Sequence, residues 1–213
     1  MNKTNLYSRI QDTEKEISHL VNSLFTLKTT DISQQPDNFQ SLSINIALRA
    51  ERIACQLRSF VFTTASVSKV KYMSQAHEEH NIHITYENEI LEVQIPGLLP
   101  KRQIRSNIAF LNDPLHYAFQ NYLTNGPLPI FDDCVICFTQ VYDRDLQLHR
   151  IRDYDNIEFK PILDTISAFI LHDDSGIHCD THYTTKLGEQ DCTLIHIMNK
   201  NMFSDWLKGF SST

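Results

Sequence analysis

Glycine and proline are scarce, at five and seven among 213 residues, which argues against low-complexity sequence. No run of 18 apolar residues occurs, so no membrane-spanning helix and no membrane partner are expected. The opening Met1-Asn2-Lys3-Thr4-Asn5-Leu6-Tyr7-Ser8 lacks an apolar signal core, and the expected setting is soluble and cytoplasmic. The five cysteines are odd in number and scattered, which speaks against a disulfide framework. Cys134 and Cys137 form the only C-x-x-C, inside a segment that reads as a strand. Strand residues three apart point to opposite faces, so the two thiols are expected in the core and not on a shared zinc. Positive charge is also short: 19 Lys and Arg face 26 Asp and Glu, for a net charge of −7. That balance disfavours nonspecific DNA binding, which depends on neutralising phosphates.

Hydrophobic residues make up 41% of the chain, enough for a packed core and too many for a disordered chain. The charge is uneven. Residues 1–75 carry nine basic and six acidic residues, while the remaining 138 carry ten and twenty. Nucleic-acid contact would therefore need the N-terminal segment or local patches, and the candidates are Lys101, Arg102 and Arg105, and Arg144, Arg150 and Arg152. The bland reading of each patch is a solvated surface.

Two organisational regions are expected, an extension at 1–75 and a domain at 82–213. Residues 2–27 place Leu6, Ile10, Ile17, Leu20, Val21, Leu24 and Phe25 at helical spacing. Residues 28–40 read as a loop. A second helix is expected over 40–64, with Leu42, Ile46, Ile53, Leu57, Phe60 and Val61 on one stripe. Two such helices suggest an antiparallel hairpin, serving either as a packing layer or as a dimerisation arm. Lys69 to Asn81 reads as a polar linker, although His77, Glu78, Glu79 and His80 hold metal-ligating groups. Alternation over 82–86 and 90–95, with Asn88 between them, predicts a β-hairpin. Asp113-Pro114 predicts a helix start and Asn125-Gly126 its stop. Residues 132–142 read as a buried strand and 157–171 as a helix. Further strands are expected over 176–184 and 192–198, joined through Lys186-Leu187-Gly188, and a short last helix carries Trp206. His178 and His182 share a strand face and Cys179 points the other way, so a cysteine/histidine enzyme is a weak reading.

The segment from Asp153 to Asp174 gathers acidic groups at both ends of the helix expected over 157–171. It runs Asp153-Tyr154-Asp155-Asn156-Ile157-Glu158-Phe159-Lys160, with Asp164 within the helix and Asp173-Asp174 beyond it. Hard cations such as Mg2+ or Mn2+ take oxygen ligands from a few carboxylates and keep several waters, so the pattern suggests metal-assisted phosphodiester chemistry. Each residue also has a structural reading. Asp155 can cap the helix with Glu158, Lys160 and Asp164 can form a surface ion pair, and Asp173-Asp174-Ser175-Gly176 can be a turn.

The order strand, basic loop, Asp-x-Asp-Asn, helix with Lys and Asp, Asp-Asp, strand, strand resembles the RusA-type Holliday-junction resolvases over about residues 82–200. The resemblance implies an α+β fold, a RusA-like mixed sheet with packed helices, here preceded by the helical hairpin. It implies Asp153, Asp155 and Asp174 as magnesium-binding residues and Lys160 as a catalytic lysine. It further implies a homodimer that cuts branched DNA. Lys160 stands five residues after Asp155 where the family spacing is four. The expected function is thus a magnesium-dependent, structure-selective endonuclease. The alternative is a catalytically inactive binding or assembly protein on the same fold, with the N-terminal helices as its interface.

Overall fold

The computed structural model describes residues 3–64, 68, 71–72, 75–76, 79–102, 109–146, 148–173 and 175–210. Among the described residues the fold is α+β, with five continuous helices, a five-stranded mixed sheet and an N-terminal helical hairpin. By compactness it divides into Met1–Lys69 and Val70–Thr213.

The first unit is helix α1 (Lys3–Thr29) and helix α2 (Pro36–Thr64). The turn between them is shorter than the loop expected over 28–40, because local bonds fix it. The Asp31 carboxylate accepts the N–H groups of Ser33 and Gln34, and Pro36 opens α2 where a missing N–H costs nothing. The helices run antiparallel. Arg9 donates to Ser59 and lies over the Phe60 ring, and Arg49 pairs with Glu16 at 2.9 Å.

In the second unit the sheet order is β1-β2-β5-β3-β4. Strands β1 (His83–Glu87) and β2 (Ile90–Pro96) form the expected hairpin. Asn88 and Glu89 take φ of 51° and 63°, the paired left-handed conformation that suits a two-residue turn between twisted strands. Helix α3 (Ala109–Asn125) carries Pro114 inside it, so the start expected at Asp113-Pro114 is corrected. Losing one ladder bond in the second turn is outweighed by burying Leu115, Ala118 and Phe119. Strand β3 (Cys134–Asp143) is buried at nine successive positions, as a central strand covered on both faces must be.

Helix α4 (Lys160–Ile170) begins three residues later than the expected 157. Ile157 is extended and bridges to Lys101, and Pro161 favours a start immediately beside it. Strand β4 (Cys179–Gly188) pairs with β3 in parallel, with α4 as the crossover. The residues 186–188 expected to join two strands are therefore part of β4. Strand β5 (Cys192–Asn199) is antiparallel to both β2 and β3. Helix α5 (Phe203–Phe210) follows. Of the polar linker expected over 69–81, residues 71–72, 75–76 and 79 are helical, and His77 and Glu78 lie outside the described residues.

The main core lies on one sheet face, where Leu91, Val93, Ile136, Phe138, Ile195 and Ile197 meet α3 and α4. On the other face Val135, Cys137 and Met198 pack with Phe203 and Trp206. Cys134 and Cys137 thus sit in different cores. Burial pushes the Cys137 thiol up to about 12. Cys134 is also raised, first by its hydrogen bond to Cys179 and then by burial. His182 packs edge-on against Phe203, and His178 contacts the Asp132 carbonyl.

Candidate functional site

The acidic motif enters the fold through a turn. Tyr154–Asn156 is one 3-10 turn, with Asp153 before it making no side-chain cap bond. Asp155 is therefore not the cap of α4; that position falls to Phe159. The turn is held against the 99–102 segment. The Arg102 N–H donates to the Asn156 carbonyl at 2.8 Å, and the Glu158 N–H to the Pro100 carbonyl at 3.0 Å. The 99–102 segment is itself anchored from the core. The Leu99 N–H donates to the Gln140 side chain, whose amide donates to Thr193, whose hydroxyl donates to the Gly97 carbonyl.

This clasp shapes a cleft of about 430 Å³ lined by Arg102, Tyr154, Asp155, Glu158, Lys160 and Tyr183, with Ile157 and Phe159 completing it. Its aromatic wall is continuous. Tyr154 stacks on Tyr183 with centroids 5.8 Å apart, and Phe159 meets Tyr183 at 4.4 Å. Behind them Phe138 backs Tyr183. The Tyr154 hydroxyl is within 3.1 Å of the Thr185 hydroxyl, which fixes the more exposed ring. The Lys160 ammonium donates to Asp164 at 2.9 Å in a surface ion pair.

The structure thus brings Arg102, Asp155 and Lys160 from the sequence expectation into one cleft. Asp153 is exposed at its margin. The other acidic end of the motif lies elsewhere. Asp173 accepts the N–H and hydroxyl of Ser175 near the start of β4, whereas Tyr154 touches Thr185 near its far end. Those two levels of β4 are about 20 Å apart. Asp174 and Arg105 lie outside the described residues. Among the described residues no group of three or more His, Cys, Asp or Glu is arranged to hold a metal ion. Within the cleft, Asp155 and Glu158 are the carboxylates placed to offer oxygen ligands.

The remaining basic candidates are engaged in the fold. Arg150 forks onto Asp191 at 2.7 and 3.1 Å and lies over the Tyr142 ring. The Asp191 carboxyl is held below its ordinary value, first by that guanidinium. Arg144 donates to the Gly188 carbonyl from its side chain, and Arg152 to the Leu99 carbonyl at 3.0 Å. Lys101 is exposed beside Ile157.

Tyr183 and Glu158 complete the cleft without having been singled out as site residues. Glu158 was legible only as a capping partner. Tyr183 had no local signal, because it reaches the cleft through the parallel pairing of β4 with β3.

No curated protein matches the chain. The model of DUF6100, a family of unknown function, matches residues 2–213, and the chain belongs to that family.

Proposed function

We propose that the cleft binds a nucleotide unit, and that the protein acts as a binding module for a free nucleotide or for one nucleotide of a single strand. The observation that carries this reading is the joint lining of one cleft by Arg102, Lys160 and the Tyr154–Tyr183 ring pair. A guanidinium and an ammonium suit a phosphate. Stacked tyrosines accept a base of any sequence, at about 1–3 kcal/mol per base. Asp155 and Glu158 offer acceptors for sugar hydroxyls or base amino groups. The volume lies in the small-ligand range of about 300–1,000 Å³. The net charge of −7 works against an extended polyanion footprint, so recognition is assigned to a single unit.

A second reading keeps the magnesium-dependent endonuclease on a RusA-like scaffold. It is favoured by one feature, the placement of Asp155 and Glu158 beside Lys160. Asp153, at the margin of the cleft, would then join them in holding Mg2+ or Mn2+ on branched DNA.

Isothermal titration with a nucleoside monophosphate and with a short oligothymidylate separates the two ligand sources. Tyr154→Ala should weaken whichever binds by about tenfold, consistent with the loss of one stacking contact, while Tyr154→Phe should retain binding. Failure of both ligands to bind would end the proposal. Cleavage of branched DNA with magnesium, abolished by Asp155→Asn, would establish the second reading instead.

A further inference from the structure

The helical hairpin carries its largest apolar stripe on the outside. Along α1 the residues turned to α2 include Arg9 and Glu16, which bond to Ser59 and Arg49 of α2, and the buried Thr13. At 100° per residue, the side roughly a quarter-turn round α1 from that seam carries Ile10, Ile17, Val21, Leu24 and Phe25, with the exposed Glu14 among them. The five apolar residues are between 42% and 69% exposed. Because the helices are antiparallel, the same side of the hairpin continues onto α2 through Ala47, Ala50, Ala54 and Leu57, all exposed. One helix therefore offers a ridge of large side chains, and its neighbour a trough of mostly small ones.

We infer that this face is covered by the same face of a second copy, giving a two-fold four-helix bundle with α1 of each copy lying on α2 of the other. Ridge and trough are complementary to each other, which suits an isologous contact. The pairings of Arg9 with Ser59 and Glu16 with Arg49 set the level of the two helices. Ile17 and Val21 stand within a turn of Ala50 and Ala47, so the bulky positions of one copy meet alanines of the other. The area is also adequate. A helix of 27 residues is about 40 Å long, and two helices spaced about 9 Å apart present a face about 20 Å wide. The whole face, polar ends included, is about 800 Å² per copy, that of a standard stable interface, and the apolar centre from Ile10 to Phe25 takes up about 24 Å of its length. The exposed apolar residues Ile44, Leu48 and Phe62 lie about 100–140° round α2 from the centre of that trough and form a sparser strip on one helix alone.

The test is sedimentation equilibrium of the full chain at micromolar concentration, with far-UV circular dichroism as the folding control. The wild type should sediment at twice the chain mass. Val21→Glu with Leu24→Glu should weaken self-association at least about 100-fold at unchanged helicity, since two carboxylates would be buried against apolar surface. Ile44→Glu with Leu48→Glu should leave the dimer intact. A second route needs no destabilising change: with Cys55→Ser as background, Val21→Cys and Ala47→Cys should give a covalent dimer on oxidation. A monomeric wild type, a dimer indifferent to the Val21/Leu24 change, or one lost only through the Ile44/Leu48 change would each overturn the inference.

Discussion

The two compact units solve the burial problem differently. In the sheet unit, β3 alone buries nine of its ten positions, and the fully buried side chains include Phe119, Phe138, Ile162 and Ile166. In the hairpin, helices of 27 and 29 residues bury only Thr13, Ile46 and Ile53 among the described side chains. A sheet with helices on its faces encloses a core by itself. Two helices offer one seam, and here arginine, threonine and glutamate occupy part of it. The sheet unit therefore encloses its own core, and the hairpin leaves Ile10, Ile17, Val21, Leu24 and Phe25 exposed.

The largest expected effect probes the closed core. Phe119 is fully buried and stacks on Phe169 at 5.0 Å, so Phe119→Ala should cost about 3–5 kcal/mol. Urea unfolding followed by Trp206 fluorescence reads this cleanly, because the only tryptophan packs on the sheet. A smaller loss would mean that the core collapses around the gap. In the hairpin, Ile46→Ala should sit near the low end of the same scale, about 2 kcal/mol. It should be seen by circular dichroism with little change in the tryptophan signal. Coincident transitions by both probes would break the comparison.

The next effect ties the core to the cleft. Gln140→Leu leaves the Leu99 N–H buried without its acceptor and should cost about 1–3 kcal/mol. It should also weaken nucleotide binding, because that bond anchors the segment bearing Arg102. Lost stability with unaltered binding would separate the cleft from the core. Gly188→Ala should follow at about 1–2 kcal/mol, since its new Cβ would lie 2.5 Å from a Val141 methyl. The thermal melt of that variant checks how rigidly β4 sits on β3.

How much of this was legible in the chain depends on the range of the interaction. The hairpin helices, the β1–β2 turn and β3 follow from local periodicity and turn chemistry, and they stand close to the expected boundaries. Asp155 and Lys160 stand out in the sequence because the motif is contiguous, and Arg102 because its basic run is; that all three line one cleft follows only from the fold. The start of α4 was misread because Ile157 is claimed by a bridge to Lys101, a partner more than fifty residues away. Pro114 inside α3 defeated a sound local rule through core burial. Tyr183 was invisible because parallel register is a property of the whole sheet.

The smallest expected effect is on pH dependence. Glu92 is held below the ordinary 4.5, first by its hydrogen bond from His196 and then against the opposing effect of burial. Asp191 is held below 3.8, first by Arg150. A carboxyl whose folded pKa is depressed stabilises the fold above its unfolded value, and that contribution is lost as pH falls through the folded value. Stability measured by urea midpoints should thus be flat near neutrality and decline through the acidic range below about 4.5. Glu92→Gln should shallow that decline, and an unchanged acid limb would show that the His196 contact contributes little. Arg150→Ala should cost about 1 kcal/mol at neutral pH without altering ligand binding, since that side chain is committed to Asp191.

The division of labour between hairpin and sheet unit is tested most directly by sedimentation velocity with a fluorescent oligothymidylate, comparing the wild type with the chain carrying Val21→Glu and Leu24→Glu. The label should co-sediment with a dimer in the first case and with a monomer in the second, at similar affinity. Loss of oligonucleotide binding together with loss of the dimer would contradict the account, because the cleft would then depend on the hairpin's assembly.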